Sequence, residues 1–340
     1  MIRVGVVGLG RMGSGMALNV AKAGFPLSVY DAEEGRTQEL REGWVKDKHL
    51  PTGPGGLSTP HLHLLESPAD VMLASDVCLV CVHTEQQSIE ALAGEDGLLA
   101  VGAKEMADKI IVEHGTVSPR FARNMSQTVL RGGGAFLDAP ISGGPQGALE
   151  GTLSIMVGGK EEHLEKCRPV FEAMGSRIEH MGGWGAGAAA KLVNQHLVIA
   201  NTVAACEAYV LARRLGLGDT AKLKALLQAS WGHRQGGRKK ERKVDCRMLD
   251  QVLEDLLKVE EAGDDVEVLR RSLAPIRTLG KDAAILVRAA SESGASSSLL
   301  VSAQAQVDET IRSGYSDCSF ASVATTIEEE FCTPKDKDGD

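Results

Sequence analysis

Apolar residues come in short runs through the first half of this chain and at three- and four-residue spacings through the second. The run Ile2-Arg-Val-Gly-Val-Val-Gly-Leu predicts a buried parallel strand, because a strand covered on both faces reads as a continuous apolar stretch. Met12 to Ala23 then reads as a helix stopped by Gly24, and Leu27-Ser-Val-Tyr as a second strand with Asp31 at its end. The pattern lapses from Trp44 to Pro68, where Pro51 to Pro60 forms a Gly/Pro-rich loop. It resumes with strands at Asp76 to Val82, Ile110 to Glu113, Ala135 to Asp138, Leu153 to Val157 and Arg177 to His180. Helices are predicted at Glu85 to Ala93 and Glu161 to Met174, and another starts at Ser118-Pro119, an N-cap followed by a first-turn proline. Strand–helix alternation of this kind predicts a doubly wound, mostly parallel α/β sheet that binds its ligand at the carboxyl ends of the strands.

From Gly185 to Gly216 a long helix is expected, apolar nearly all round and therefore buried. Lys191, Asn194, Gln195, Asn201 and Thr202 nevertheless share one arc of it. A lysine on a buried seam is costly to desolvate, so it should be paired or line a cleft. Only helical patterns follow: Thr220 to Ser230, Arg247 to Glu261, Val266 to Leu273, Lys281 to Ser293 and Ser298 to Ser313. The expected organisation is an α/β domain over 1–184, an all-α C-terminal domain over 185–327, and a polar tail over 328–340.

Gly8-Leu9-Gly10-Arg11-Met12-Gly13 sits in the strand–turn–helix context of a dinucleotide fingerprint, which makes the first domain a Rossmann fold. Gly8 allows the tight turn, Gly10 lets backbone approach a pyrophosphate, and Gly13 permits close helix–strand packing. The helix start supplies free N–H groups and a positive dipole end. Asp31 is placed to accept the ribose hydroxyls of NAD and to repel the extra phosphate of NADP. Arg36 could still swing in, so NADP is not excluded. His83, Thr116 and Ser142 fall just past strand ends, on the cofactor side.

The 340 residues carry a formal charge of -9, which disfavours nucleic acid or an anionic membrane as partner. The seven cysteines, an odd number scattered through apolar runs, point to reduced thiols and a cytoplasmic location. Cys78 and Cys81 have metal or redox spacing but lie within a predicted strand, and are expected to pack. His61 and His63 lack nearby ligands for a metal, so none is expected. The run Arg238-Lys-Lys-Glu-Arg-Lys243 is expected to be a solvated loop or helix start.

The fingerprint, the segment Asp138-Ala-Pro-Ile-Ser-Gly-Gly-Pro-Gln-Gly-Ala-Leu-Glu-Gly-Thr152, and Lys191-Leu-Val-Asn194-Gln195 together resemble the β-hydroxyacid dehydrogenase family. That family contains 3-hydroxyisobutyrate dehydrogenase and tartronate semialdehyde reductase. The resemblance implies that Ser142, Gly143 and Gly144 hold a substrate carboxylate, that Lys191 is the acid/base, and that Asn194 positions lysine and substrate hydroxyl. It places Val82, His83, Gln87 and Thr116 around the nucleotide, and Lys281 reaching the cofactor from the helical domain. A free lysine titrates near about 10.4, so service as a base demands burial or neighbouring charge.

The implied activity is NAD-dependent, reversible oxidation of a short 3-hydroxy acid by a homodimer or homotetramer. Two alternatives are an NADPH-dependent reductase of a small aldehyde acid, such as tartronate or succinic semialdehyde, and a non-catalytic nucleotide-binding scaffold of the same fold. The chain departs from the family pattern in several places: Gln195 follows Asn194 where two asparagines are common, Glu113-His-Gly-Thr replaces Asp-x-Ser-Thr, and Val82-His83 replaces Leu-Pro. The stretches 44–67 and 236–275 are longer than usual, and the second adjoins Trp231-Gly-His233-Arg234. The His-Asn-Gly-Ile-Glu stretch of 6-phosphogluconate dehydrogenases is absent, and imine reductases lack a lysine at position 191.

Overall fold

The computed structural model describes residues 1–33, 35–46, 62–229, 234–235, 244–245, 247–263, 265–271, 274–295 and 297–331. The 51–60 loop, His61, Trp231, His233 and the 238–243 basic run lie outside the described residues. The chain divides into two units, Met1–Leu192 and Val193–Asp340, the boundary falling within one long helix.

The first unit begins with β1 (Val4–Val7), α1 (Gly13–Lys22), β2 (Leu27–Tyr30), α2 (Arg36–Lys46) and β3 (Leu62–Leu64). It continues through α3 (Pro68–Ala74), β4 (Val77–Val80), α4 (Glu85–Ala93), α5 (Ala103–Met106), β5 (Ile110–Glu113) and α6 (Pro119–Arg131). Next come β6 (Ala135–Asp138), β7 (Ile141–Ser142), α7 (Gly144–Glu150), β8 (Leu153–Gly158), α8 (Glu161–Met174) and β9 (Gly175–Gly182). The sheet order is β3-β2-β1-β4-β5-β6-β8-β7, with β9 paired to β8. Strands β3 to β6 run parallel along this path, and β8 pairs antiparallel with both β6 and β7.

Period-two alternation sorts each central strand between two cores. Val4, Val6, Leu79 and Val112 pack with Met16 and Val20 of α1 and Phe171 of α8. Val7, Cys78, Val80 and Ile111 pack on the other side with Val71 of α3, Leu92 of α4 and Val129 of α6. Helices on both faces leave the middle strands wholly buried, which is why they read as unbroken apolar runs.

The helix α9 (Ala186–Arg214) crosses the unit boundary. The second unit then holds α10 (Thr220–Ala229), β10 (Arg234–Gln235), β11 (Val244–Asp245), α11 (Arg247–Glu261), α12 (Ile276–Glu292), α13 (Ser298–Thr310) and α14 (Val323–Phe331). Its core takes Leu249, Val252 and Leu256 from α11, Ile276, Leu279 and Ala283 from α12, and Leu300 and Val307 from α13, at helical spacings.

Several expectations need correction. The second unit is not strictly all-helical, because β10 and β11 form an antiparallel pair. Helix α12 starts at Ile276, five residues before the predicted start, and Gly280 lies inside it where Ile311 packs so close that a Cβ would sit 2.5 Å from Ile311 Cδ1. Val266–Arg271 is a 3-10 turn rather than an α-helix. Helix α14 carries on through Glu328, where a tail was expected, because Ile327 is buried and Arg214 Nη2 donates to the Glu328 carbonyl at 3.4 Å. The long helix is not buried all round: Val193, Leu197 and Leu211 are 67%, 57% and 59% exposed, and Asn201 is exposed on its predicted seam.

Candidate active site

The sheet register aligns the ends of four strands. Val7 pairs with Val80, Val80 with Glu113, and Glu113 with Asp138, so these residues form one row across the carboxyl edge. Whatever follows each of them leaves the sheet on the same side. That places the Gly8–Gly13 turn, Val82 and His83, Thr116, and the segment from Ala139 to Gly144 along one rim. Among the sequence-predicted residues of the first unit, the register thus gathers those at the ends of β1, β4, β5 and β6.

The glycine turn separates two demands. A Cβ on Gly13 would sit 1.9 Å from the Gly8 carbonyl oxygen, and one on Gly8 2.4 Å from that of Cys81, with φ at +96°. Those two glycines are required by the protein's own packing. A Cβ on Gly10 would meet only Arg36 Nη1 at 3.7 Å, so the space above it is open. Open space over a glycine at a helix start is what a pyrophosphate needs, and the donor set fits a dinucleotide. Arg11 is exposed and Met12 half-buried where the turn becomes α1.

Asp31 accepts the Leu9 N–H on Oδ2 at 2.6 Å and the Glu33 N–H on Oδ1 at 2.8 Å. Arg36 bends toward it, with Nη1 at 3.6 Å from Asp31 Oδ2 and Nη2 paired to Glu33. The guanidinium is therefore already shared between two carboxylates beside Gly10.

At the next strand end, Gln87 serves α4 as half of a capping box. Its Oε1 accepts the N–H groups of His83 (3.0 Å) and Thr84 (3.1 Å), while Thr84 Oγ1 accepts the Gln87 N–H. The His83 backbone is fixed in consequence, with its ring exposed. After β5, His114 is buried, its Nδ1 donating to the Ala139 carbonyl at 2.6 Å, and its ring stands edge-on to Phe171 with centroids 5.9 Å apart. Burial pushes its pKa down to about 4, against the opposing pull of that hydrogen bond. Thr116 lies half-buried two residues on.

Ser142 ends β7, and Gly143 and Gly144 turn into α7 with φ of +140° and +67°. Both glycines are exposed, and a Cβ on Gly144 would meet nothing within 4 Å. Helix α7 packs on α1, where Asn19 Nδ2 donates to the Ala148 carbonyl at 2.7 Å. This holds the second glycine turn beside the helix that opens at the first.

Asp138 ties in the lysine helix. Its fully buried carboxylate accepts the N–H groups of Gly185 (2.8 Å) and Ala188 (2.9 Å) at the start of α9. Burial pushes its pKa up, and those backbone donors pull the other way. Gly187 is pressed so close that a Cβ would lie 2.3 Å from the Met156 carbonyl oxygen and 2.4 Å from that of Asp138. Lys191 follows one turn after Ala188 and is 8% exposed. The sequence reading missed Asp138 as a helix anchor; its place at a buried strand end, followed by a glycine-rich helix start, was the available signal.

Asn194 and Lys281 belong to the second unit. There Asn194 Nδ2 donates to Gln195 Oε1 at 3.0 Å, Gln195 Nε2 donates to Asp282 Oδ2 at 2.5 Å, and Lys281 Nζ pairs with Asp282 Oδ1 at 3.0 Å. Thr202 bonds back to the Val198 carbonyl at 2.8 Å rather than to this group. Among the described residues no three His, Cys, Asp or Glu side chains gather as a metal site, and no helix is long and apolar enough to cross a membrane.

Comparison with known proteins agrees with this arrangement. A family model described as the NAD binding domain of 6-phosphogluconate dehydrogenase matches residues 3–183, and one described as NAD-binding of NADP-dependent 3-hydroxyisobutyrate dehydrogenase matches 185–274. The chain is 37% identical over 230 residues to 2-hydroxy-3-oxopropionate reductase of Escherichia coli, covering 66% of this chain and 70% of the relative. It is 32% identical over 229 residues to human mitochondrial 3-hydroxyisobutyrate dehydrogenase, covering 67% of this chain and 62% of that enzyme's length. A solved Mycobacterium tuberculosis 3-hydroxyisobutyrate dehydrogenase with L-serine superposes with a TM-score of 0.74 at 25% identity, over 96% of this chain and 99% of that one. The chain belongs to the β-hydroxyacid dehydrogenase family of NAD(P)-dependent oxidoreductases.

Proposed function

We propose that this protein is an NAD-dependent dehydrogenase that reversibly oxidises the alcohol of a short 3-hydroxy acid, with Lys191 as the general acid/base. The observation that carries the reading is the Asp138 tether, which fixes the start of the Lys191 helix to the strand-end row shared with both glycine turns. Residues 1–184 hold the dinucleotide. Gly8 to Gly13 with Asp31 bind the cofactor, and the Val82–His83 loop braced by Gln87 and the Thr116 turn border it.

A nicotinamide held there would supply the hydride acceptor for the alcohol carbon, and the hydride donor for the reverse direction. Ser142 and the exposed N–H groups of Gly143 and Gly144 grip the substrate carboxylate, which fixes where the hydroxyl lies. Lys191 Nζ takes the hydroxyl proton as the carbonyl forms, and its ammonium gives the proton back in reduction. Asn194 orients the hydroxyl and the amine. Relatives named for 3-hydroxyisobutyrate, for L-serine and for 2-hydroxy-3-oxopropionate support a three- or four-carbon acid with an alcohol or aldehyde beyond the α-carbon.

The NADPH-dependent reductase reading is favoured by one observation, the Arg36 guanidinium beside Gly10. The engagement of Arg36 by Asp31 and Glu33 weighs toward NAD. The exposed line of Val193, Leu197 and Leu211 supports a homodimer or homotetramer, and five free cysteines among the described residues suit a cytoplasmic setting.

The test is a panel of 3-hydroxyisobutyrate, L-serine and, in reverse, 2-hydroxy-3-oxopropionate, each with NAD(H) and NADP(H), followed by nicotinamide absorbance. Turnover of one acid, lost by at least about a thousandfold in Lys191→Ala, is expected if a lysine moves the proton. A Lys191→Ala variant with full turnover would overturn the mechanism, and inactivity on every acid would overturn the function.

A further inference from the structure

Gln195 is buried, at 8% exposure, and so is Asp282, at 2%. They stand 87 residues apart in sequence and meet through the 2.5 Å bond from Gln195 Nε2 to Asp282 Oδ2. An ionised carboxylate can only accept hydrogen bonds, so it dictates which end of the Gln195 amide faces it. With the NH2 end turned to Asp282, the Gln195 oxygen faces Asn194, and only the NH2 end of Asn194 can face that oxygen. Turning either amide over would set two acceptors against each other, at a buried contact for Gln195 and a part-buried one for Asn194. The polarity of Asp282 is thus passed through two side chains, and Asn194 is left presenting its oxygen on its remaining side.

We propose that Gln195 is a positioning residue for the dehydrogenase reaction: it relays the Asp282 carboxylate to Asn194 and so fixes the Asn194 oxygen as a hydrogen-bond acceptor. The inference rests on the function proposed above, in which Asn194 meets the substrate hydroxyl and the Lys191 amine. An acceptor there orients the donating hydroxyl or ammonium, whereas a flipped amide would present N–H groups and compete for the same lone pairs. Lys281 pairs with the other oxygen of Asp282 at 3.0 Å, so the same carboxylate holds the residue assigned to the cofactor. The length of glutamine matters: an asparagine at 195 would be shorter by one methylene and would leave a gap of about 1.5 Å in the relay, enough to break a bond of this length.

Three variants test this beside the wild type and Lys191→Ala. Gln195→Leu removes the relay at similar volume, and kcat is expected to fall about tenfold or more, with cofactor Kd within about twofold of wild type. Gln195→Asn is expected to fall likewise. Gln195→Glu keeps the shape and depends on its proton: protonated, it donates to Asp282 and accepts from Asn194, and ionised it repels Asp282. Its kcat relative to wild type is therefore expected to rise as pH is lowered, a signature that loss of packing alone does not give. Should Gln195→Leu fail to fold, the glutamate variant carries the test. Wild-type kcat in Gln195→Leu or Gln195→Asn, or a pH-independent ratio for Gln195→Glu, would overturn the proposal. If Lys191→Ala is inactive while these variants are unaffected, the relay fails and the function stands; if wild type turns over no acid, the function itself fails.

Discussion

The carboxylate of Asp31 accepts the backbone N–H of Leu9 at 2.6 Å, so the acid at the end of β2 grips the glycine turn that follows β1. One side chain thereby shapes the cofactor turn and faces the place where a ribose would lie. Asp31→Asn keeps the size but can offer only one oxygen to the N–H groups of Leu9 and Glu33. It also releases half of the charge that restrains Arg36. The expected outcome is a rise of about tenfold in KM for NAD with a smaller rise for NADP, so the preference narrows, since a charge-assisted hydrogen bond is worth about 1.5–3 kcal/mol. Initial rates with each cofactor at fixed hydroxy acid decide it. An unchanged NAD-to-NADP ratio would show that Asp31 does not set the preference.

Two alanine substitutions three residues apart should fail in different ways. Gly13→Ala would force a Cβ to within 1.9 Å of a backbone oxygen, and backbone cannot yield as a side-chain tip can. Overpacking of this severity costs at least about 1–3 kcal/mol, so thermal melting should fall by several degrees or the protein should not fold. Gly10→Ala meets only the end of Arg36 at 3.7 Å and should melt within a degree or two of wild type. Its cofactor Kd, read by quenching of protein fluorescence, should nevertheless rise at least about tenfold, because the methyl fills the space a pyrophosphate needs. Equal melting losses for the two would contradict the division of labour within the turn.

Much of this arrangement can be read from the sequence because it is local. Glu85–Ala93, Ile110–Glu113, Ala135–Asp138, Glu161–Met174 and Arg247–Glu261 carry the same bounds in both readings, since each has its own apolar period and its own stop signals. Strands β3 and β7 escape detection: three and two residues long, they are too short to show a period and owe their pairing to neighbours distant in sequence. At the site, the glycine turns, Asp31 and Lys191 announce themselves by residue type and spacing. The anchor at Asp138 and the contact between Gln195 and Asp282 do not, because a buried acid reveals its role only through the partner it finds on folding.

His114 predicts how stability responds to acid. In the unfolded chain it binds a proton below about 6.5, the ordinary histidine value. In the fold, burial holds its pKa at about 4, and among the described residues its Nε2 has no hydrogen-bond partner that could receive a proton's charge. Between those values the unfolded state binds more protons, so stability rises with pH and is lost as pH falls from about 6.5 to 4. The full loss from this one group is about 3 kcal/mol. His114→Asn keeps a donor for Ala139 and removes the titration. Urea midpoints at pH 7 and pH 5 should therefore diverge more for wild type than for the variant; parallel shifts would remove His114 as the cause.

Val193, Leu197 and Leu211 lie within about 40° of one another around the α9 axis, each more than half exposed. Scattered surface leucines are common, but three large apolar side chains aligned on one helix face are what a second copy could cover. Leu197→Glu with Leu211→Glu sets two charges on that strip without disturbing side chains that point into the fold. The wild type is expected to sediment as a dimer or tetramer, and the double variant as a monomer with its helical circular dichroism retained. A wild-type monomer at micromolar concentration, or a variant that keeps the wild-type assembly, would show that this face of α9 is not the one that joins the copies.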